Sequence, residues 1–350
     1  MKIIFTFVQS TNYIMPFIDK ILNFRSLSIV GMEKNTGKTE CLNYILRQLR
    51  ERNLNFFITS IGIDGESVDQ VTNTQKPEIE VFENSYFVTS ETHYKQRQII
   101  SEITDVSKER TSLGRLVTAK ALNSGKIILS GPSNTSLLQK FIQKSVDYDT
   151  TICIIDGALS RLSSASPIVS ESMILTTGTA VSANIKTLIN KTVFTHNLIN
   201  LPQFQCNHTE TLSDIKSGLW AIDSQNEIHD LKIPSVFLLS QHKEKIFEHG
   251  TVLYASGAVS DKMLNFLKNQ KHCSDITLIV KDFTRLFITK EAYHGFIRKG
   301  GKIKVLHKTN LIAVCINPTS PQGIVLDSEE LKNSLQKELD VPVYDIFKLD

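Results

Sequence analysis

Apolar residues follow two rhythms along this chain. Short runs rich in β-branched residues stand at positions 26–30 (SLSIV), 55–61 (NFFITSI), 151–155 (TICII) and 172–176, the pattern of buried strands. Between the first two, Leu42, Ile45, Leu46 and Leu49 recur at helical spacing while Arg47, Arg50, Glu51 and Arg52 fall off that stripe. Asn53 breaks the helix, so residues 26–61 read as a strand–helix–strand unit. Residues 62–78 are polar and rich in Gly, Asp, Thr and Asn, a long loop of the kind that is usually functional or disordered. Two short strands are expected at 79–82 and 86–89, and a hairpin pairing 115–122 with 126–130 about Asn123, Ser124 and Gly125. Helices are expected from Ser133 to about Val146 and from about Ser182 to Leu198. Beyond Pro202, apolar strands at 235–239, 251–254, 277–280, 303–306 and 311–316 alternate with helices such as 261–269.

The most informative string is Gly31-Met32-Glu33-Lys34-Asn35-Thr36-Gly37-Lys38-Thr39, which lies between the first strand and the amphipathic helix. Glycine lets a backbone curl so that successive N–H groups aim at phosphate oxygens, and the helix start adds donors and the positive end of its dipole. Lys38 is placed to reach the β- and γ-phosphates and Thr39 to bind Mg²⁺. The spacing departs from the standard GxxxxGK[ST]: five residues separate Gly31 from Gly37, and Met32 stands where the first glycine is usual. Lys34, Asn35, Thr36, Gly37, Lys38 and Thr39 are the expected nucleotide contacts, with Lys34 offering a second charge over the phosphates.

Two acidic positions are candidates for the metal and the attacking water. Asp156 closes the TICII strand and is followed by Gly157, where a metal-contacting aspartate would stand. Asp64 and Glu66 follow the second strand directly, in a loop able to present a carboxylate as a switch would. Arg161, Ser163 and Ser164 follow Asp156 in a Ser- and Ala-rich loop ending at Pro167, and Arg161 reads either as a γ-phosphate contact or as a surface arginine. The expected fold is therefore α/β, a P-loop NTPase-type, mainly parallel sheet flanked by helices. Residues 1–24 are read as an N-terminal extension, 25–201 as the nucleotide-binding domain and 202–350 as a second α/β domain without an assigned role.

Composition narrows the alternatives. The 350 residues are 41% hydrophobic and 21% charged, ordinary for a globular chain. A net charge of +3 without a basic block gives no argument for nucleic acid. Cys41, Cys153, Cys206, Cys273 and Cys315 are dispersed, which disfavours a zinc knuckle and fits reduced thiols in a cytoplasm. Residues 1–24 lack a continuous apolar core and a cleavage site, and no stretch approaches a membrane span, so neither export nor a membrane is expected. There is no HxH or HxxxH pair and no GxSxG elbow, so metallohydrolase and serine hydrolase chemistry lack a motif. Asn190-Lys191-Thr192-Val193 lacks the aspartate of a guanine-reading NKxD, which favours ATP over GTP.

Taken together, these strings resemble known proteins. Residues 34–39 (KNTGKT) are similar to the loop of accessory P-loop NTPases of the molybdopterin-guanine dinucleotide type. A longer series runs through Thr59-Ser60-Ile61-Gly62, Asp64-Gly65-Glu66, Lys76-Pro77, Leu113-Gly114 and Ser130-Gly131-Pro132-Ser133. It continues through Asp156-Gly157-Ala158-Leu159-Ser160-Arg161, Ser163-Ser164-Ala165-Ser166-Pro167 and Thr177-Gly178. It resembles the smaller subunit of the lysine 5,6-aminomutase reactivating factor over roughly residues 26–200. The resemblance implies an ATP-dependent chaperone that works with a larger, MutS-like ATPase subunit. Together they would exchange damaged cobalamin on a cobalamin-dependent aminomutase for intact adenosylcobalamin. It also implies nucleotide-site roles for Lys38, Thr39 and Asp156. Leu162 and Arg115 depart from the pattern, where a polar and an acidic residue are expected, and they bear on partner choice. Two other readings of the residues stay open: a dethiobiotin-synthetase-like ligase that phosphorylates a carboxylate, and a nucleotide-binding adaptor that does not hydrolyse.

Overall fold

The computed structural model describes residues 17–61, 78–132, 135–158, 166, 169–233, 239 and 242–348. A short helix, α1 (Ile18–Ile21), leads into β1 (Ser26–Gly31), all of which is buried. The following helix, α2 (Lys38–Glu51), buries the expected stripe of Leu42, Ile45, Leu46 and Leu49. After β2 (Phe56–Ser60) come β3 (Ile79–Val81), β4 (Tyr86–Ser90) and the short helix α3 (Glu91–Lys95). A long antiparallel pair, β5 (Ser101–Thr111) and β6 (Gly114–Ala121), precedes β7 (Gly125–Ile127) and α4 (Thr135–Ser145). The strands β8 (Ile152–Ala158) and β9 (Ser172–Gly178) are followed by α5 (Ile185–Ile199).

The next stretch builds a smaller sheet. It comprises α6 (Thr209–Asp214), β10 (Leu219–Ile222), β11 (Ile228–Ile233), α7 (Lys243–Ile246) and β12 (Val252–Ala255). It continues with β13 (Val259–Ser260), α8 (Asp261–Lys268), β14 (Thr277–Val280), β15 (Leu286–Phe287), α9 (Lys290–Arg298) and β16 (Lys302–Val305). The chain then runs through β17 (Asn310–Asn317), α10 (Ser328–Glu338) and β18 (Val343–Asp345).

Nine strands form the large sheet in the order β18-β17-β9-β1-β8-β2-β4-β6-β5, five form the smaller one in the order β11-β10-β12-β14-β16, and β13-β15 and β3-β7 are two-stranded ribbons. From β18 to β4 every neighbouring pair is parallel; β6 and β5 are antiparallel additions. Purely parallel strands need helices on both faces, and both faces are covered here. On one face Leu27, Ile29, Ile58, Ile154 and Ile174 pack with the α2 stripe. On the other, Val30, Met173 and Leu175 meet Leu188 of α5 and Leu331 and Leu335 of α10, while Phe57, Cys153 and Ile155 meet Leu137, Leu138 and Phe141 of α4. The first of these clusters runs on into the smaller sheet through Leu219, Leu253, Leu278 and Ile303.

Several expectations need correction. The hairpin of 115–122 with 126–130 does not form: β6 pairs with β4 and β5, whereas β7 pairs with β3 in a separate ribbon. The turn at 122–124 changes partners, which local turn chemistry does not reveal. The strand β5 was hidden because its residues, SEITDVSKERT, are mostly polar and lie at a sheet edge with little burial, paired in a ladder with β6 on one side alone. The topology also departs from a division at Pro202. The 311–316 strand is present as β17, but it pairs with β9 in the large sheet, and β18 pairs with it. The expected strand at 235–239 falls almost wholly outside the described residues.

Candidate functional site

The site is built where the order of the large sheet reverses, with β1 between β8 and β9. In open α/β sheets this point, at the carboxyl ends of the strands, is where ligands sit. Gly31 ends β1, and a Cβ there would lie 2.6 Å from Thr36 Oγ1 and 3.0 Å from the Glu33 carbonyl oxygen, because the loop curls back over it. Asn35 (φ 62°) and Gly37 (φ 85°) take left-handed backbone on either side of Thr36. Lys34 and Asn35 are exposed, whereas Thr36 is buried. The Thr36 hydroxyl lies 3.0 Å from the Glu33 carbonyl oxygen and 2.9 Å from Thr176 Oγ1, which ties the loop to β9.

The extra residue in the spacing has a structural place. The Met32 N–H donates to the Thr176 carbonyl at 2.9 Å, so the ladder with β9 continues one residue beyond β1. Only Glu33 to Thr36 then remain between Met32 and Gly37. The Met32 side chain is half-buried against the core, and its sulfur accepts from the Thr192 hydroxyl at 3.7 Å.

The helix α2 starts at Lys38 after Gly37, which has no side chain to cap its first-turn N–H groups. Lys38 Nζ stands 2.8 Å from Asp156 Oδ1, with the two side chains 25% and 21% exposed. The nitrogen lies at ion-pair distance but off the directions of a hydrogen bond, and Oδ1 is a buried acceptor without one. Asp156 lies inside β8, which runs past the expected end at residue 155 to Ala158, in register with Ile29 of β1 and Ser60 of β2. Thr39 is half-buried on the first turn of α2. Lys38, Thr39 and Asp156 are thus brought to one edge together with the 34–37 loop. Asp64, Glu66, Arg161, Ser163 and Ser164 lie outside the described residues.

Other residues shape this edge and were not among the sequence candidates. Asn317, which ends β17, donates from Nδ2 to the Asn35 carbonyl at 3.2 Å and accepts from the Thr319 N–H at 3.0 Å. Its backbone carbonyl accepts from the Thr179 N–H at 3.1 Å, and a Cβ on Gly37 would lie 3.1 Å from Asn317 Cβ. The available signal was a polar residue closing a buried run just before Pro318. Gly131 packs so tightly on β2 that a Cβ would come within 1.4 Å of the Ser60 carbonyl oxygen. Close by in sequence, the buried His93 Nδ1 and Ser130 Oγ share a hydrogen bond.

Comparison of the sequence with models of known protein families and with curated proteins gives no match. Among the described residues no group of three or more His, Cys, Asp and Glu side chains stands together as a metal cage, and no helix is long and apolar enough to cross a membrane. A cavity of about 300 Å³ lined by Arg50, Asn55, Phe56, Glu83 and Asn84 opens at the amino ends of β2 and β4. It lies beside the last turn of α2, at the other end of that helix from Lys38, and none of the candidate residues lines it.

Proposed function

We propose that the chain is a P-loop nucleotide-binding protein that takes Mg·ATP at residues 31–39 and hydrolyses it slowly as a reactivating chaperone subunit. The observation that carries this reading is the short Lys38–Asp156 ion pair beside the uncapped start of a 14-residue helix. The lysine that starts α2 and the aspartate of the neighbouring strand β8, each about one-fifth to one-quarter exposed, are in reach of solvent and of each other. Lys38 would exchange its contact with Asp156 for the β- and γ-phosphates, and the first-turn N–H groups of α2 would receive phosphate oxygens. Thr39 and Asp156 would hold Mg²⁺, and a hydroxyl with a carboxylate is the hard oxygen donor set that this ion takes. When bound, the ion supplies charge neutralisation across the phosphates. Asp64 would orient the attacking water.

The partners follow from the sequence resemblance alone: a larger MutS-like subunit and a cobalamin-dependent aminomutase. Titration calorimetry with Mg·ATP and Mg·GTP on the wild type and Lys38→Ala tests the core of the reading. Loss of charge-assisted phosphate contacts predicts a roughly ten- to hundredfold weaker Kd in the variant. Absence of binding by the folded wild-type chain would remove the nucleotide from the account. Turnover assays then separate the variants of the reading. Stimulation by a protein partner supports the remodeller, turnover only with an added carboxylate indicates a ligase, and binding without turnover indicates an adaptor.

A further inference from the structure

The smaller sheet has a carboxyl edge of its own. Strands β12, β14 and β16 are parallel, and the chain leaves them at Ser256, Lys281 and Leu306. This is the kind of edge at which α/β sheets bind ligands. Several of its polar groups are held within the protein. Asp282, 1% exposed, accepts from the Thr284 N–H at 2.9 Å, from the Thr284 hydroxyl and from the Ser166 hydroxyl at 2.7 Å. Lys281 Nζ donates to the Ser213 carbonyl at 2.8 Å, and His307 Nε2 lies 3.1 Å from Ser213 Oγ.

Two donors at the same edge are not held by any of the described residues. Tyr254 of β12 is fully buried, yet among the described residues its hydroxyl has no hydrogen-bond partner. Arg285 follows in the turn after β14; its Nε is buried and also has no partner among the described residues. Among the described residues its guanidinium makes no ion pair, even though Asp282 is three residues away. The charges of Arg285 and Asp282 both act on the Tyr254 hydroxyl, and burial pushes that phenol up to about 12, so it remains an O–H donor. Asp282 already accepts from three donors, which leaves the arginine for another acceptor. Burying one donor without an acceptor is destabilising, and burying two at one strand edge calls for an acceptor that serves both.

We propose that this edge is an oxyanion site, at which the Tyr254 O–H and the Arg285 Nε–H donate to one carboxylate or phosphoryl group of a small molecule. The site belongs to the smaller sheet and does not depend on the reading of residues 31–39. It is tested by calorimetric melting of the full Lys38→Ala chain with inorganic phosphate and, separately, with malonate at constant ionic strength. The Lys38→Ala background removes the lysine of the other anion site. A saturable rise in Tm is expected, with the half-saturating concentration about ten- to hundredfold higher after Tyr254→Phe or Arg285→Gln. A response to phosphate alone assigns a phosphoryl ligand, to malonate alone a carboxylate, and to both a general oxyanion site. No saturable rise, or an equal rise in all variants as general salt exclusion would give, overturns the proposal. Tyr254→Phe keeps the ring in its packing, so it decides the matter alone if Arg285→Gln does not fold.

Discussion

Along β8 the side chains alternate between the two faces of the sheet, and this separates an ion-paired carboxylate from a buried thiol that is held neutral. Asp156 lies on the face of α2, next to Lys38. Cys153 lies on the other face among Phe57, Leu138 and Ile155, where burial pushes its thiol from the ordinary 9.0 up to about 12 against a smaller opposing pull from Ser145. Between those two values the unfolded chain releases a proton that the native chain keeps. Stability from this group is therefore complete below pH 9 and falls as pH rises towards 12, by about 1.4 kcal/mol per pH unit. Urea unfolding at several alkaline pH values is expected to show a shallower decline in Cys153→Ala than in the wild type; equal slopes would refute this. Asp156→Asn should behave differently. Because the Lys38 pair is partly solvated, its loss changes stability by less than about 1 kcal/mol. On the proposed nucleotide reading, the same substitution is expected to abolish the Mg²⁺ dependence of ATP affinity, which calorimetry with and without the metal measures.

At the scale of elements, the glycines and Asn317 explain why the 31–39 loop keeps its shape. The contact between Gly131 and β2 is the least forgiving, since a Cβ would meet the Ser60 backbone oxygen at 1.4 Å. At Gly31 the first obstacle is a threonine hydroxyl 2.6 Å away that is able to rotate. Gly131→Ala is accordingly expected to destabilise the chain by about 3 kcal/mol and Gly31→Ala by less, as read from urea midpoints. The reverse order would mean that residues 130–132 yield more readily than the loop. The elements around this loop were legible in sequence because each is specified locally. SLSIV is a continuous apolar run, and Leu42, Ile45, Leu46 and Leu49 form one helical stripe. Partner choice was not legible. Nothing in residues 115–130 says that β6 turns to β4 and β5 while β7 turns to β3, because strand preference reflects the surface a strand meets. Asn317 escaped for the same reason, since its contact with Asn35 spans 282 positions.

The whole molecule joins its two sheets through the chain's return. Residues 203–306 contain the smaller sheet, after which β17 lies against β9 over seven aligned residues from Asn310 to Asn317 and β18 lies beyond it. Cutting after Leu201 would therefore do more than remove the smaller sheet. It would expose the N–H and C=O groups along one side of β9, strip Leu331 and Leu335 from the face of the large sheet, and remove Asn317 from the loop at residues 34–37. An unpaired central strand with an uncovered apolar face favours aggregation. A chain ending at residue 201 is expected to show no cooperative thermal transition, whereas the full chain melts in a single one because one apolar cluster spans both sheets. Differential scanning calorimetry of both chains measures this directly. If the short chain melts cooperatively and binds Mg·ATP as the full one is proposed to, the large sheet is complete without β17 and β18, and the role assigned here to Asn317 falls with it.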